Sequence, residues 1–224
     1  MHFDVSVIIP TYNRANSLRE AIESALQQED VTIEIIVIDD GSTQDICSLV
    51  STFPENILYI CQSNQGAPVA RNNGLRKARG RYIKYLDSDD LLAKNSLSEQ
   101  VRKLKSSSSD VCYGRWEEFG TSSTTCSLPA WEMPLADPVD SLLSDWWSPI
   151  FSYLIRTDIA RKVEWDAGLS SAQDFDYFLR LAISGASFVY SPVPTGLYRY
   201  HTGGRTSRKS LAVWCSNREK ALNN

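Results

Sequence analysis

Apolar and polar positions alternate in two rhythms along the first hundred residues of this chain. Short β-branched runs at 5–9 (VSVII) and 33–38 (IEIIVI) read as buried strands, the first stopped by Pro10. Between them Leu18, Ala21, Ile22, Ala25 and Leu26 make the i, i+3, i+4 stripe of a helix over 15–28. Ser17 and Glu20 offer a capping box near its start. Strand, helix and strand at this spacing form a βαβ unit, with parallel pairing and a right-handed crossover. The same rhythm predicts a helix over 43–51, a strand at 57–61 and a helix over 67–78 closed by Gly80. A strand at 82–86 and a helix over 95–106 follow. Residues 1–106 are thus expected to form an α/β unit, an open and mostly parallel sheet flanked by helices.

The pattern loosens after residue 106. Residues 106–109 and 121–127 are small and polar, and 131–150 are irregular and rich in Trp and Pro. Strands are expected at 152–155, 188–190 and 197–200, and a helix over 175–184 with Phe178, Leu179 and Ala182 on one face. The tail, 208–224, is polar with a weak helical pattern. No internal repeat is visible. Residues 107–207 read as completing the domain begun by 1–106.

Composition narrows the class. The 224 residues are 42% hydrophobic and 22% charged, ordinary values for one globular domain. A net charge of −4 argues against nucleic acid as a partner. The five cysteines are scattered, with no CxxC pair, so zinc is not expected and reduced thiols in the cytoplasm are the simplest account. The opening residues lack a basic segment, and no apolar run of about 18 residues occurs. Neither a signal peptide nor a transmembrane segment is expected; peripheral membrane contact stays open.

The chemistry gathers where strands end. In open α/β sheets ligands bind at the carboxyl ends of the strands. Three polar clusters fall there: Pro10-Thr11-Tyr12-Asn13, Asp39-Asp40-Gly41-Ser42 and Asp87-Ser88-Asp89-Asp90. Three acids in four residues repel one another, and a shared hard cation such as Mg²⁺ or Mn²⁺ relieves that repulsion. The alternative is a solvated acidic turn with Asp89 or Asp90 capping the next helix. There is no GxGxxG after the first strand and no GxxxxGK[ST] anywhere, so a metal held by carboxylates is the better device for phosphates.

The ordered set PTYNR at 10–14, VIDDGS at 37–42, NQG at 64–66, ARNNGL at 70–75 and YIKYLDSDD at 82–90 resembles the family 2 glycosyltransferases. The likeness continues more weakly through QDFDYFLRL at 173–181 and YRYH at 198–201. It implies a GT-A (Rossmann-like) fold and an inverting transfer of a sugar from a nucleotide-diphosphate donor, usually a UDP-sugar, to an acceptor hydroxyl on a glycan or lipid-linked glycan. Residues 1–106 would then bind the donor and 107–207 the acceptor. A degenerate, non-catalytic member that binds nucleotide sugar or glycan is the alternative. A haloacid-dehalogenase-like phosphatase would place a nucleophilic Asp after the first strand, and a pyrophosphorylase a Gly-rich basic loop; neither occurs.

The resemblance assigns roles. Pro10 and Tyr12 border the base site. Tyr12 offers a flat face to the base or, alternatively, packs under a loop. Asp39 accepts from a base N–H; turn chemistry with Gly41 is the competing account for Asp39 and Asp40. Arg71, a cation at a helix start that opposes the helix dipole, calls for an anion such as the diphosphate or Asp39; a surface ion pair is the alternative. Asp87 matches the acid near the ribose and Asp89 the ligand of Mn²⁺ or Mg²⁺. Asp174 matches the general base, or caps its helix. The acid that precedes this base in the family is here Gln173. His201 is a metal-ligand candidate, Arg199 and Arg205 approach the metal or diphosphate, and Trp146 with Trp147 either stack on an acceptor sugar or pack in the core.

Overall fold

The computed structural model of the chain describes residues 3–54, 57–120, 133, 136–144 and 148–200. The four apolar runs of the first half are parallel strands: β1 (Val5–Thr11), β2 (Ile33–Asp39), β3 (Ile57–Cys61) and β4 (Tyr82–Tyr85). They are joined by the helices α1 (Ala15–Leu26), α2 (Ile46–Val50) and α3 (Ala67–Lys77). The two-residue β5 (Leu91–Leu92) and α4 (Ser96–Ser107) complete this half. The second half contributes β6 (Val111–Phe119), α5 (Pro138–Leu143), β7 (Leu154–Arg156), α6 (Thr157–Ala160), α7 (Gln173–Ile183) and β8 (Phe188–Arg199). Among the described residues the strands make one eight-stranded sheet, β3-β2-β1-β4-β7-β6-β8-β5. It is mixed: β7 runs antiparallel to β4 and to β6, while β6 and β8 are parallel.

Strand periodicity divides the core. Val5, Val7 and Ile9 point to the face covered by α1 and α4, with Leu18, Ile22, Leu97 and Val101. Ile8, Ile38, Ile83 and Tyr85 point to the other face, with Leu75, Trp165, Tyr177 and Phe178. No described helix is long and apolar enough to cross a membrane.

Four expectations are corrected. Pro10 does not stop β1: pairing to β4 ends at Ile8↔Tyr85, and the strand continues beside β2 with Pro10↔Ile38. A residue without an N–H is tolerated where one ladder has ended. The Ser17–Glu20 capping box does not form; Arg14 is the N-cap without a side-chain bond, and Glu20 pairs with Arg199 instead. Gly80 is not a helix cap. A Cβ there would lie 2.5 Å from the Ser6 backbone nitrogen, so its role is close approach to β1. The strands expected at 188–190 and 197–200 are one twelve-residue β8 that passes through Pro192 and Pro194, and β6 was not anticipated. The register between them shifts around Gly114, Arg115 and Trp116, which absorbs the prolines.

Candidate functional site

Four adjacent parallel strands bring their carboxyl ends to one edge of the sheet, so Tyr12, Asp39 and Asp87 arrive there from different parts of the chain. Pro10 is buried in β1. Two residues on, Tyr12 is 48% exposed, a free aromatic face beside the strand ends. The loops after β1 and β2 are stitched together. The Asn13 N–H donates to Ser42 Oγ at 2.9 Å, and Asn13 Oδ1 accepts from the Thr43 N–H at 2.7 Å.

The paired acids of β2 divide their work. Asp39 is buried; its Oδ1 accepts from the Ser42 N–H at 2.9 Å and its Oδ2 from the Tyr59 hydroxyl at 2.8 Å. Burial and this carboxylate push the Tyr59 hydroxyl well above its ordinary pKa, so it stays a donor. Asp40 accepts from Gln62 Nε2 and from the backbone N–H groups of Gln65 and Gly66, at 2.7, 2.9 and 2.8 Å. It fastens the loop ahead of α3.

After β4 the acidic turn is braced by two arginines. Arg14 pairs with Asp89. The Arg199 backbone N–H donates to Asp90 Oδ1 at 2.9 Å, its Nε donates to the Asp89 carbonyl at 2.7 Å, and its guanidinium reaches Glu20 and lies over Phe119. Asp90 is buried, and its carboxyl is pushed well above the carboxylate range, by burial first and by Asp89 and Asp87 next.

Arg71 joins the two halves of the chain. It is buried on α3; Nη2 pairs with Asp87 Oδ1 at 2.7 Å, and Nη1 donates to Gln173 Oε1 at 3.1 Å across 102 residues. Its guanidinium lies 4.6 Å from the centroid of Trp165, which stacks on Tyr177 of α7 at 4.0 Å. The anion that Arg71 requires is therefore Asp87 and not Asp39, and the pair is not a surface one. Both guanidiniums have protein partners, Arg71 in Asp87 and Gln173 and Arg199 in Glu20 and the Asp89 carbonyl, while the buried Arg71 Nε has none among the described residues.

Asp174 lies half-buried in the first turn of α7, whose N-cap is Ala172 without a side-chain bond, so Asp174 is not a cap. Withdrawal from water pushes its pKa up to about 6; Arg71 opposes the shift and Asp87 adds to it. A carboxylate poised near neutral pH beside a strand-end site can take a proton from an incoming hydroxyl.

The carboxylates of the turn suit a hard cation. Asp90 is lifted by burial first and by its acidic neighbours second, and Arg14 supplies a positive charge at Asp89. No cluster of three or more metal-ligating side chains occurs among the described residues. Among the described residues, Asp89 is the side chain that would hold such a cation. His201, Arg205, Trp146 and Trp147 lie outside the described residues. Sequence reasoning missed Tyr59, Arg14 and Trp165. Tyr59 occupies an alternating position on β3, a usable signal, whereas nothing in the sequence marks Trp165 as Arg71's stacking partner.

A family model described as glycosyl transferase family 2 matches residues 6–172. An uncharacterized glycosyltransferase of Rickettsia bellii is 43% identical over 121 residues, covering 52% of this chain and 18% of its own. Glycosyltransferase GlyA of Streptococcus pneumoniae is 36% identical over 121 residues, covering 53% and 17%. The match thus spans less than a fifth of the length of these two relatives. Among solved structures, S. aureus TarS 1–349 in complex with UDP-GlcNAc aligns with a TM-score of 0.76 at 22% identity, over 94% of this chain and 62% of that one. The mannosyltransferase PcManGT from Pyrobaculum calidifontis, in complex with GDP-Man and Mn²⁺, aligns at 0.68 and 20%, over 91% and 59%.

Proposed function

The chain belongs to glycosyl transferase family 2 and has the GT-A fold, and on that premise we propose that it transfers a sugar from a UDP-sugar to an acceptor hydroxyl with inversion. The observation that carries this reading is the cluster Asp87–Arg71–Gln173, which sets Asp174 of α7 beside the carboxyl ends of the donor-side strands.

In this proposal Tyr12 stacks on the base, Asp39 accepts from its N–H, and Pro10 bounds the same site. Asp39 is already fixed by Ser42 and Tyr59 through one lone pair on each oxygen, which leaves acceptor capacity for a ligand. Asp87, held by Arg71, faces the ribose. Asp89 binds Mn²⁺ or Mg²⁺, with His201 as a second candidate ligand; the neighbour that holds Mn²⁺ supports a divalent cation here. When bound, the cation neutralises charge on the diphosphate leaving group. Arg71 and Arg199 act as braces of Asp87 and of the Asp89–Asp90 turn. Asp174 takes the proton of the acceptor hydroxyl as that oxygen displaces the diphosphate in a single step, the route to inversion.

The acceptor in this reading is a glycan or lipid-linked glycan, reached from the cytoplasmic side. Calorimetry of UDP with Mn²⁺ and with chelator tests the donor assignment. Binding that strengthens with Mn²⁺, and loses that gain in Asp89→Ala, is the expected result; equal affinity in both conditions defeats it.

A further inference from the structure

Arg71 makes one charged and one neutral contact. Its Nη2 meets the Asp87 carboxylate, while its Nη1 meets the amide oxygen of Gln173. Gln173 is held at its other end, where Nε2 donates to the Leu169 carbonyl at 2.9 Å. An amide oxygen satisfies a guanidinium proton and brings no charge. A carboxylate at the same place would make the same hydrogen bond to Arg71 and set a second negative charge against that guanidinium.

We propose that Gln173 is a positioning residue that sets the protonation range of Asp174: its neutral amide leaves the charge of Arg71 to be shared by Asp87 and Asp174 alone. The proposal deepens the reading of Asp174 as general base and rests on it for its consequence in catalysis. The neighbourhood supports it. Burial raises the Asp174 pKa to about 6, Arg71 is the opposing influence, and Asp87 adds to the rise. Tyr153, ahead of β7, faces Asp174 and is itself pushed far up, by burial first and by Asp174 next, so it stays neutral. Asp176, on the same helix, is paired with Arg180. On α5, which packs against α7, Asp140 and the capping Asp137 are exposed. Arg71 is thus the cation that keeps Asp174 ionised at neutral pH, and residue 173 decides how much of its field arrives.

The test is a ¹³C NMR titration of side-chain carboxyls in the ligand-free protein, with Asp174 identified by the signal missing in Asp174→Asn. Gln173→Glu should raise the Asp174 midpoint by about one pH unit, the effect of one added charge at this range in a partly screened site. Gln173→Ala removes both side-chain hydrogen bonds of Gln173 without adding charge and should leave the midpoint within about 0.3 unit of the native value. Equal shifts in the two variants, or no rise in Gln173→Glu, would overturn the proposal. Should Gln173→Glu fail to fold, Gln173→Lys carries the test with the opposite sign, because a positive charge at residue 173 must lower the midpoint, and an unchanged midpoint overturns the proposal. Hydrolysis of UDP-GlcNAc across pH gives the functional arm: its acidic limb should follow the NMR midpoint upward in Gln173→Glu, and a limb that stays fixed counts against the proposal. Native-like hydrolysis by Asp174→Asn would sink the general-base reading instead, while the titration would still judge the role of Gln173.

Discussion

The donor-side edge and the α7 side of this site are built by different means. Along β1–β3 the donor edge is local: Asp39, Asp40 and Asn13 hold their loops through bonds to Ser42, Thr43 and the 62–66 loop, all near the ends of neighbouring parallel strands. The α7 side depends on contacts between distant parts of the chain, Arg71 to Gln173 and Asn72 to Trp165, 102 and 93 residues apart. The β1–β3 part of the donor edge is therefore specified wherever the βαβ units form, whereas the Asp89–Asp90 turn, braced by Arg199, and the α7 side are complete only once the whole sheet has closed. Substitutions on the two sides should fail differently, in binding on one and in turnover or global stability on the other.

The largest effect sharpens that contrast. Asp174→Asn keeps the shape of the side chain but cannot take a proton. Turnover should fall by about 10²–10⁴-fold, the usual share of a general base, with UDP affinity nearly unchanged. Parallel rate and calorimetry measurements check it, and lost UDP binding would move Asp174 to the donor side. Next comes Trp165→Ala. Trp165 is 2% exposed, stacks on Tyr177 and carries the Arg71 guanidinium. Its loss should cost about 3–5 kcal/mol in a urea titration. A cost below about 1 kcal/mol, the level of an ordinary surface change, would mean that the α7 side is held by something else.

The same contrast explains what the sequence discloses. Strands β1 to β4 and their helices were readable because each is a short apolar run beside a periodic stripe, and Asp39, Asp87 and Asp89 sit at strand ends that such a reading locates. β6 and β8 were obscured because Gly114 and Arg115 interrupt one strand and Pro192 and Pro194 the other, and the shifted register that reconciles them is a property of the pair. Arg71 could be marked as a cation in need of an anion, but not as the partner of Asp87 and Gln173, since that choice depends on how α3 and α7 come together. The failed capping box has the same origin: Glu20 answers to Arg199 on the last strand rather than to its own helix.

A smaller effect belongs to the donor edge alone. Asp39→Ala removes the acceptor for the base and releases Ser42 and Tyr59. UDP and UDP-sugars should weaken by a similar amount, about 1.5–3 kcal/mol for a charge-assisted hydrogen bond. Tyr59→Phe, which removes only the hydroxyl that holds Asp39, should cost less, about 0.5–1.5 kcal/mol, with turnover of bound donor unaffected. Weakening confined to one sugar would place Asp39 at the sugar and break the division of labour.

A pH-dependent effect on stability tests the joint between the two sides. Lys84 lies on β4, the strand that pairs with β1 of the donor edge and with β7 of the second half. Its side chain is fully buried, and Nζ donates to Gln100 Oε1 of α4 at 2.5 Å. Burial pushes its pKa down to about 7, from an ordinary value of 10.5. Between those two values the unfolded chain holds a proton at Lys84 that the folded protein does not, so folding stability rises with pH through that window. Below about pH 7 both states are protonated, and the burial penalty is present in full. Lys84→Met cannot titrate. The stability difference, variant minus native, should therefore shrink by about 1.4 kcal/mol per pH unit between roughly pH 7.5 and 9.5 and level off below about pH 6.5. The Gln100 oxygen left without its donor offsets the difference by a constant and does not alter its slope. Urea titrations of both proteins at four or five pH values suffice. A difference independent of pH would mean that Lys84 keeps its proton in the fold, and that the joint between donor edge and second half holds a full positive charge.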